Sequence, residues 1–391
     1  MEIRKRFRMS DPTDPEQLRH RRSWGVVALF RGASTSMLIR VAAAVAVAWL
    51  PLAVLTALHG REEFLSFLTD YASQSRFLLV IPVLMLGEKP THARYALVAH
   101  HFAATLVCAE DQPSFQAQWI SYERLKHSML VRVLLLILTY AIAVWLSEYL
   151  RVDGSEFLNW WKGGDGFRFY SRAGTWALFV SYPILMYVTF RWLWRQATWA
   201  RFLRLTARLN LKLIPVHPDH LGGMGFLEAA LLGQLPFSFC LGVGLAGAIA
   251  NRVFHEGQNV LAYRFLAPVL IATALLISVA PYFVFTPILM RMRRRGMLQY
   301  GAFAHAVGEQ FEQKWLDRED ALGAEVLTVP DFTSTGNLYR MVENIDEIRL
   351  VPVAAVNTYA FVIAALVPCI PVVIAAIPFD VLMKAALKLL V

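Results

Sequence analysis

Two imidazoles and a carboxylate stand within four residues at His217-Pro218-Asp219-His220, and Leu221-Gly222-Gly223-Met224-Gly225-Phe226-Leu227-Glu228 follows directly. Neutral imidazole and carboxylate suit zinc, iron or manganese, so His217, Asp219 and His220 could supply part of a divalent-metal site. Three glycines ahead of a helix, Gly222 and Gly223 first among them, could instead turn backbone N–H groups toward an anion or substrate. The same letters also make a bend: Pro218 fixes a turn, Asp219 caps it, and the glycines let the chain fold back tightly. All three readings stay open on sequence. Glu228 is the sharpest single residue, because a carboxylate about one turn inside an apolar span is costly unless it meets a ligand, an ion or water. There is no Gly-rich phosphate loop with Lys, no zinc-protease His-Glu pair, no nucleophile elbow and no calcium loop. No catalytic residue and no cofactor is therefore assigned.

The elements that position these residues are apolar. Of 391 residues, 57% are hydrophobic and 17% charged, against roughly 25% charged in an ordinary soluble domain. That balance excludes a disordered chain and argues against a soluble one. The net charge of +9 lies beside long apolar runs and not on a contiguous polar domain, which argues against a nucleic-acid partner. Cys108, Cys240 and Cys369 are far apart and read as small core hydrophobes, without a disulfide framework.

A helix that crosses a bilayer needs ~20 predominantly apolar residues. Stretches near 37–58, 129–150, 173–193, 225–250, 265–290 and 352–369 meet that length, and a seventh near 64–87 does so while carrying Asp70 and Arg76. With the seventh counted, 26 Lys and Arg fall on one side and 9 on the other; without it the split is 16 against 20. Since cytoplasmic loops are enriched in these residues, the count selects seven spans with a cytoplasmic N-terminus. The expected fold is an all-α polytopic transmembrane helix bundle. Residues 1–36 form a basic cytoplasmic arm and a signal anchor follows it, 37–290 hold the first six spans, and 291–350 form a cytoplasmic helical region. Residues 351–391 give the last span and a Pro-interrupted helix lying in the interface, with a further crossing from Pro371 as the rival.

Arg191, Trp192, Trp194 and Arg195 close the fourth span, and Arg201, Arg204 and Arg208 follow at helical spacing on one face. They are expected to contact anionic lipid headgroups, as is the N-terminal arm. In the 291–350 region, Tyr300, Phe303, Val307, Phe311 and Trp315 recur at three and four, which predicts an amphipathic helix over 297–316 continuing from the sixth span. Leu338, Met341, Ile345 and Ile348 predict a second over 335–349. Their apolar faces need cover from each other, the span ends, a protein partner or a second copy of the chain. In the fifth span, Cys240, Gly244 and Ala248 recur at four beside Gly242, Ala246 and Ala250, a pattern that lets helices approach closely.

The stretch His217 to Leu227 (HPDHLGGMGFL), then QYGAFA from Gln299 and FEQKW from Phe311, ahead of a Pro-interrupted hydrophobic tail, resembles a group of bacterial multi-pass inner-membrane proteins. The resemblance covers about the second half of the chain. It implies a bacterial inner membrane and no particular activity, and it points to His217, Pro218, Asp219, Gly222, Gly223, Tyr300, Gly301, Lys314 and Trp315. The resulting expectation is a non-enzymatic membrane protein that either assembles with partners or passes a small solute or ion. The alternative is a membrane-embedded, metal-dependent enzyme using His217, Asp219 and His220.

Overall fold

The computed structural model describes residues 35–153, 159–161, 170–316 and 331–376. Among the described residues the chain is helical, and it contains no strand beyond one isolated bridge between Val107 and Leu211. Helix α1 is Thr35–His59 and α2 is Arg61–Leu68. Helix α3 runs through Tyr71–Ser75, a π-type turn at Arg76–Val80, Ile81–His101 and a second π-type turn at Phe102–Leu106. Helices α4 (Gln112–His127) and α5 (Met129–Asp153) follow. Helix α6 covers Arg172–Thr206, with a π-type turn at Ala177–Ser181. Next come α7 (Leu227–Leu232), α8 (Leu235–Glu256) and α9 (Leu266–Val279). A 3-10 segment, Ala280–Phe285, joins α9 to α10 (Thr286–Trp315); then come α11 (Asp331–Asp346), α12 (Ala355–Leu366) and, after a 3-10 turn, α13 (Ile370–Ala376).

Six helical stretches are long and apolar enough to cross a membrane, beginning at Thr35, Met129, Arg172, Leu227, Val260 and Val356. The buried helix α3 lies among them and makes a seventh pass. Side-chain contacts fix the directions. Ser181 donates to the Ala48 carbonyl and Trp49 Nε1 to Gln74, so the second half of α1 meets the first turns of α3 and α6. Asn251 of α8 accepts from the Ala72 N–H, and Gln196 of α6 donates to the Ile277 carbonyl of α9. Thr35, Leu106, Met129, Thr206, Leu227, Thr286 and Ala355 therefore lie toward one end of the bundle. That end carries Arg201, Arg204, Arg208 and Arg291–Arg295.

Three boundaries differ from the sequence reading. Phe64 belongs to α2, and the span expected from 64 begins instead at Tyr71. The reason is Asp70, which caps α3 by accepting the Ser73 N–H and is buried against Asn251 Nδ2. A capped carboxylate ends one helix and starts the next. The expected 89–128 loop is instead the second half of α3 and the whole of α4. The fifth span opens as the short α7, breaks at Gly233–Gln234, and resumes as α8 with Pro236 in its first turn, where a missing N–H costs nothing.

Close approach in the bundle centres on α8. A Cβ on Gly242 would sit 2.1 Å from the Ala365 carbonyl oxygen of α12, and one on Gly247 2.9 Å from the Tyr71 carbonyl oxygen of α3. Gly244 faces open space. Of the expected small residues Gly242 makes the close approach and Gly244 does not, Cys240 is buried in the core, and Gly247 adds a second close approach. The expected amphipathic helices are α10 and α11, packed as an antiparallel hairpin. Arg293 pairs with Asp346 at its root, and at its tip Lys314 pairs with Asp331 while Phe332 packs on Phe311 and Trp315. Residues 1–34 of the basic arm and 377–391 of the expected interfacial helix lie outside the described residues.

Candidate functional site

The turn singled out by sequence lies at the arginine-rich end, between α6 and α7. Backbone contacts stitch it to the end of α3: Lys212 N–H donates to the Leu106 carbonyl at 2.7 Å and Cys108 N–H to the Asn210 carbonyl at 3.3 Å. Asp219 organises the turn itself. Its Oδ1 accepts from the N–H of Leu221 (2.9 Å) and Gly223 (3.1 Å), and its Oδ2 from that of Gly225 (2.8 Å). His217 Nδ1 lies 2.8 Å from the same Oδ1. Burial pushes the Asp219 carboxyl up, but these backbone N–H groups and His217 outweigh it and hold the pKa below the ordinary carboxylate value.

Gly222 has φ 67° and sits where a Cβ would meet Met292 Sδ at 2.5 Å, so both conformation and space require glycine. His220 also adopts a left-handed backbone, φ 52°. Its ring turns away from His217 and Asp219: Nδ1 is 3.7 Å from Glu347 and 3.4 Å from the Asn344 carbonyl. The His220 carbonyl accepts from the Arg349 N–H at 3.0 Å. Arg349 Nη1 in turn donates to Glu228 Oε1 at 3.2 Å. Ile345 and Ile348 are buried in the cluster that holds Leu221, Met224, Leu227 and Met292. The turn is therefore the socket that receives the root of the α10–α11 hairpin.

This geometry bears on each chemical reading. Three backbone N–H groups of the turn that could face an anion, those of Leu221, Gly223 and Gly225, are already occupied by Asp219. The structure brings His217 and Asp219 together and sends His220 to another partner. Among the described residues, no group of three or more His, Cys, Asp or Glu side chains is placed to hold a metal ion. Glu228 joins the start of α7 to the hairpin root.

The expected headgroup residues divide in two. Arg201, Arg204 and Arg208 are exposed, although α6 ends at Thr206 and Arg208 lies beyond its helical face. Trp192 (1% exposed) and Arg195 (8%) are inside the bundle, which removes them from headgroup contact. The physical reason is that α3 and α4 cover this side of α6. Trp194 Nε1 donates to the Leu125 carbonyl of α4, and Arg191 is bonded to Glu88 of α3. Sequence reasoning missed the polar network that results. Gln196 accepts from the Tyr95 hydroxyl at 3.0 Å and from Gln234 Nε2, and Gln234 accepts from Trp192 Nε1 at 3.2 Å. The available signal was polar Gln196 and Gln234 inside otherwise apolar helices. Comparisons of this chain with family models, with curated proteins and with solved structures give no match.

Proposed function

We propose that this is a bacterial inner-membrane subunit, N-terminus in the cytoplasm, whose α10–α11 hairpin docks a helix of a partner protein on the cytoplasmic side. One observation carries this reading. Between the two helices lies an open groove of about 410 Å³, lined by Phe303, Val307, Phe311, Trp315 and Leu338 together with the polar Gln310, Ser334 and Thr335 and the Lys314–Asp331 pair. Phe303 at its mouth is 59% exposed. A groove that offers both apolar and polar side chains on a helix pair outside the spans fits an amphipathic helix with apolar residues at i, i+3, i+4 spacing. The resemblance to bacterial inner-membrane proteins supports the location, and exposed Arg201 and Arg204 at the hairpin end support a cytoplasmic, anionic surface there. Solute passage is the weaker reading, because the residue that motivated it, Glu228, is engaged by Arg349.

A photo-crosslinking residue placed at Phe303 in intact cells tests this. A discrete protein adduct is expected, lost on Leu338→Glu while the amount of chain in the membrane stays the same. The same probe at lipid-facing Leu276 gives none. An adduct of twice the chain mass identifies a second copy as the partner. Identical patterns at Phe303 and Leu276 overturn the proposal.

A further inference from the structure

The second half of α3 and the end of α4 are joined by a contact whose chemistry depends on one proton. Lys126 Nζ of α4 lies 2.9 Å from His92 Nε2 and 3.2 Å from His92 Nδ1, on α3. An ammonium only donates hydrogen bonds, and so does an imidazolium. The contact therefore exists only while the His92 ring is neutral and its bare nitrogen accepts from Lys126. The Lys126 side chain is 14% exposed and also reaches Glu123 at 2.8 Å. The His92 ring faces Trp119 of α4 with an interplanar angle of 5°.

Glu123 is the carboxylate these groups share. His92 Nε2 is 3.4 Å from its Oε1, and His127 Nε2 is 3.7 Å from its Oε2. From α6, the Arg195 charge also acts on His92. From α3, Glu88 faces Lys126 but is already bonded to Arg191. A proton on His92 thus sets a second cation against Lys126, with one carboxylate between them. The short imidazolium stays beside Glu123, and Lys126, on its long flexible stem, moves out to water.

The position of this exchange gives it a consequence. Helix α4 ends at His127, the chain turns at Ser128 with ψ 125°, and α5 opens at Met129. Trp194 Nε1 of α6 holds the Leu125 carbonyl at 3.3 Å, so the residues that depend on Lys126 are those beyond it, up to the start of α5. We propose that His92 and Lys126 form a proton-operated clasp that couples acidification on the arginine-rich side of the membrane to the joint between α4 and α5. With His92 neutral the clasp is closed; with His92 protonated, Glu123 passes from Lys126 to His92 and the joint loosens. The closed form binds one proton fewer than the open form. Its contribution is fully present above the ordinary imidazole value of about 6.5 and is lost as pH falls below it. The clasp is separate from the hairpin groove and does not depend on what docks there.

The test uses the full-length chain in lipid nanodiscs, with amide hydrogen exchange of residues 126–130 followed from about pH 8 to about pH 5 and corrected for the intrinsic chemical rate. Protection should hold steady down to about pH 6.5 and then fall about tenfold per pH unit of acidification. His92→Gln keeps an acceptor for Lys126 and carries no titrating ring, so its protection should stay flat. Lys126→Met removes the competing cation and leaves His92 to pair with Glu123 when protonated, so protection should rise on acidification. Should His92→Gln fail to fold, that inversion decides. No acid-dependent fall in the native chain, a fall that His92→Gln leaves intact, or an unchanged direction in Lys126→Met overturns the proposal.

Discussion

Arg349 Nη1 meets Glu228 Oε1 at 3.2 Å across 121 residues of sequence, joining the root of the hairpin to the first turn of α7. Both side chains keep solvent contact, at 41% and 27% exposure. Exposed pairs of this kind contribute about 0–1 kcal/mol. Glu228→Gln should therefore lower stability by no more than ~1 kcal/mol, and the double variant with Arg349→Gln should cost less than the two single changes summed. Flux into liposomes should not change with Glu228→Gln, and a large change would restore the passage reading.

Asp219 carries a heavier role. Asn keeps the acceptor for Leu221 and Gly223 but sets an amide donor against the Gly225 N–H, so Asp219→Asn should cost about 1–3 kcal/mol. The pH dependence follows from its depressed pKa. The Asp219 contribution is fully present above the unfolded carboxylate value of 3.8 and is lost as pH falls through the lower folded value. Unfolding midpoints below about pH 4 should fall more steeply for the native chain than for Asp219→Asn, and parallel curves would contradict this.

Glycine changes in the turn and in the hairpin should have opposite signs. Gly222→Ala places a methyl on Met292 and forces a left-handed backbone, which should cost roughly 2 kcal/mol or more. Gly336 lies inside α11 with open space around it, and Ala there should stabilise the helix by roughly 0.5–1 kcal/mol. Thermal midpoints of the two variants measured side by side check the contrast.

Within the spans, Gly242→Ala should separate α8 from α12, because the new Cβ overlaps the Ala365 backbone. Backbone cannot swing aside as a side chain can, so the loss should exceed ~2 kcal/mol. Gly244→Ala, facing open space two residues along, should be close to neutral. Similar losses for both would mean that α8 packs with the other face inward.

Much of the architecture was legible before any coordinates. Spans near 37–58, 129–150, 173–193, 225–250, 265–290 and 352–369 follow from apolar run length alone, because a bilayer-crossing helix satisfies its backbone internally and shows its solvent in its composition. The periodicity from Tyr300 to Trp315 and from Leu338 to Ile348 located α10 and α11 for the same reason. Asp70 was the exception: counted as a cost within a span, it is the cap that ends α2 and starts α3.

The residues of the turn were also visible, but not their purpose. His217, Asp219, His220, Gly222 and Gly223 offer the same letters to a metal, an anion or a bend, and only their directions choose. Asp219 spends its lone pairs on its own loop, His220 faces Glu347, and Glu228 faces Arg349. Trp192 and Arg195 show the same limit, since a Trp–Arg pair at a helix end reads as a headgroup anchor until α3 and α4 are seen to cover it. Composition and period settled how the chain divides between lipid and water, because each residue expresses that preference alone. Partners belonged to the tertiary structure, because a hydrogen bond or a charge pair depends on a second group that arrives from another part of the chain.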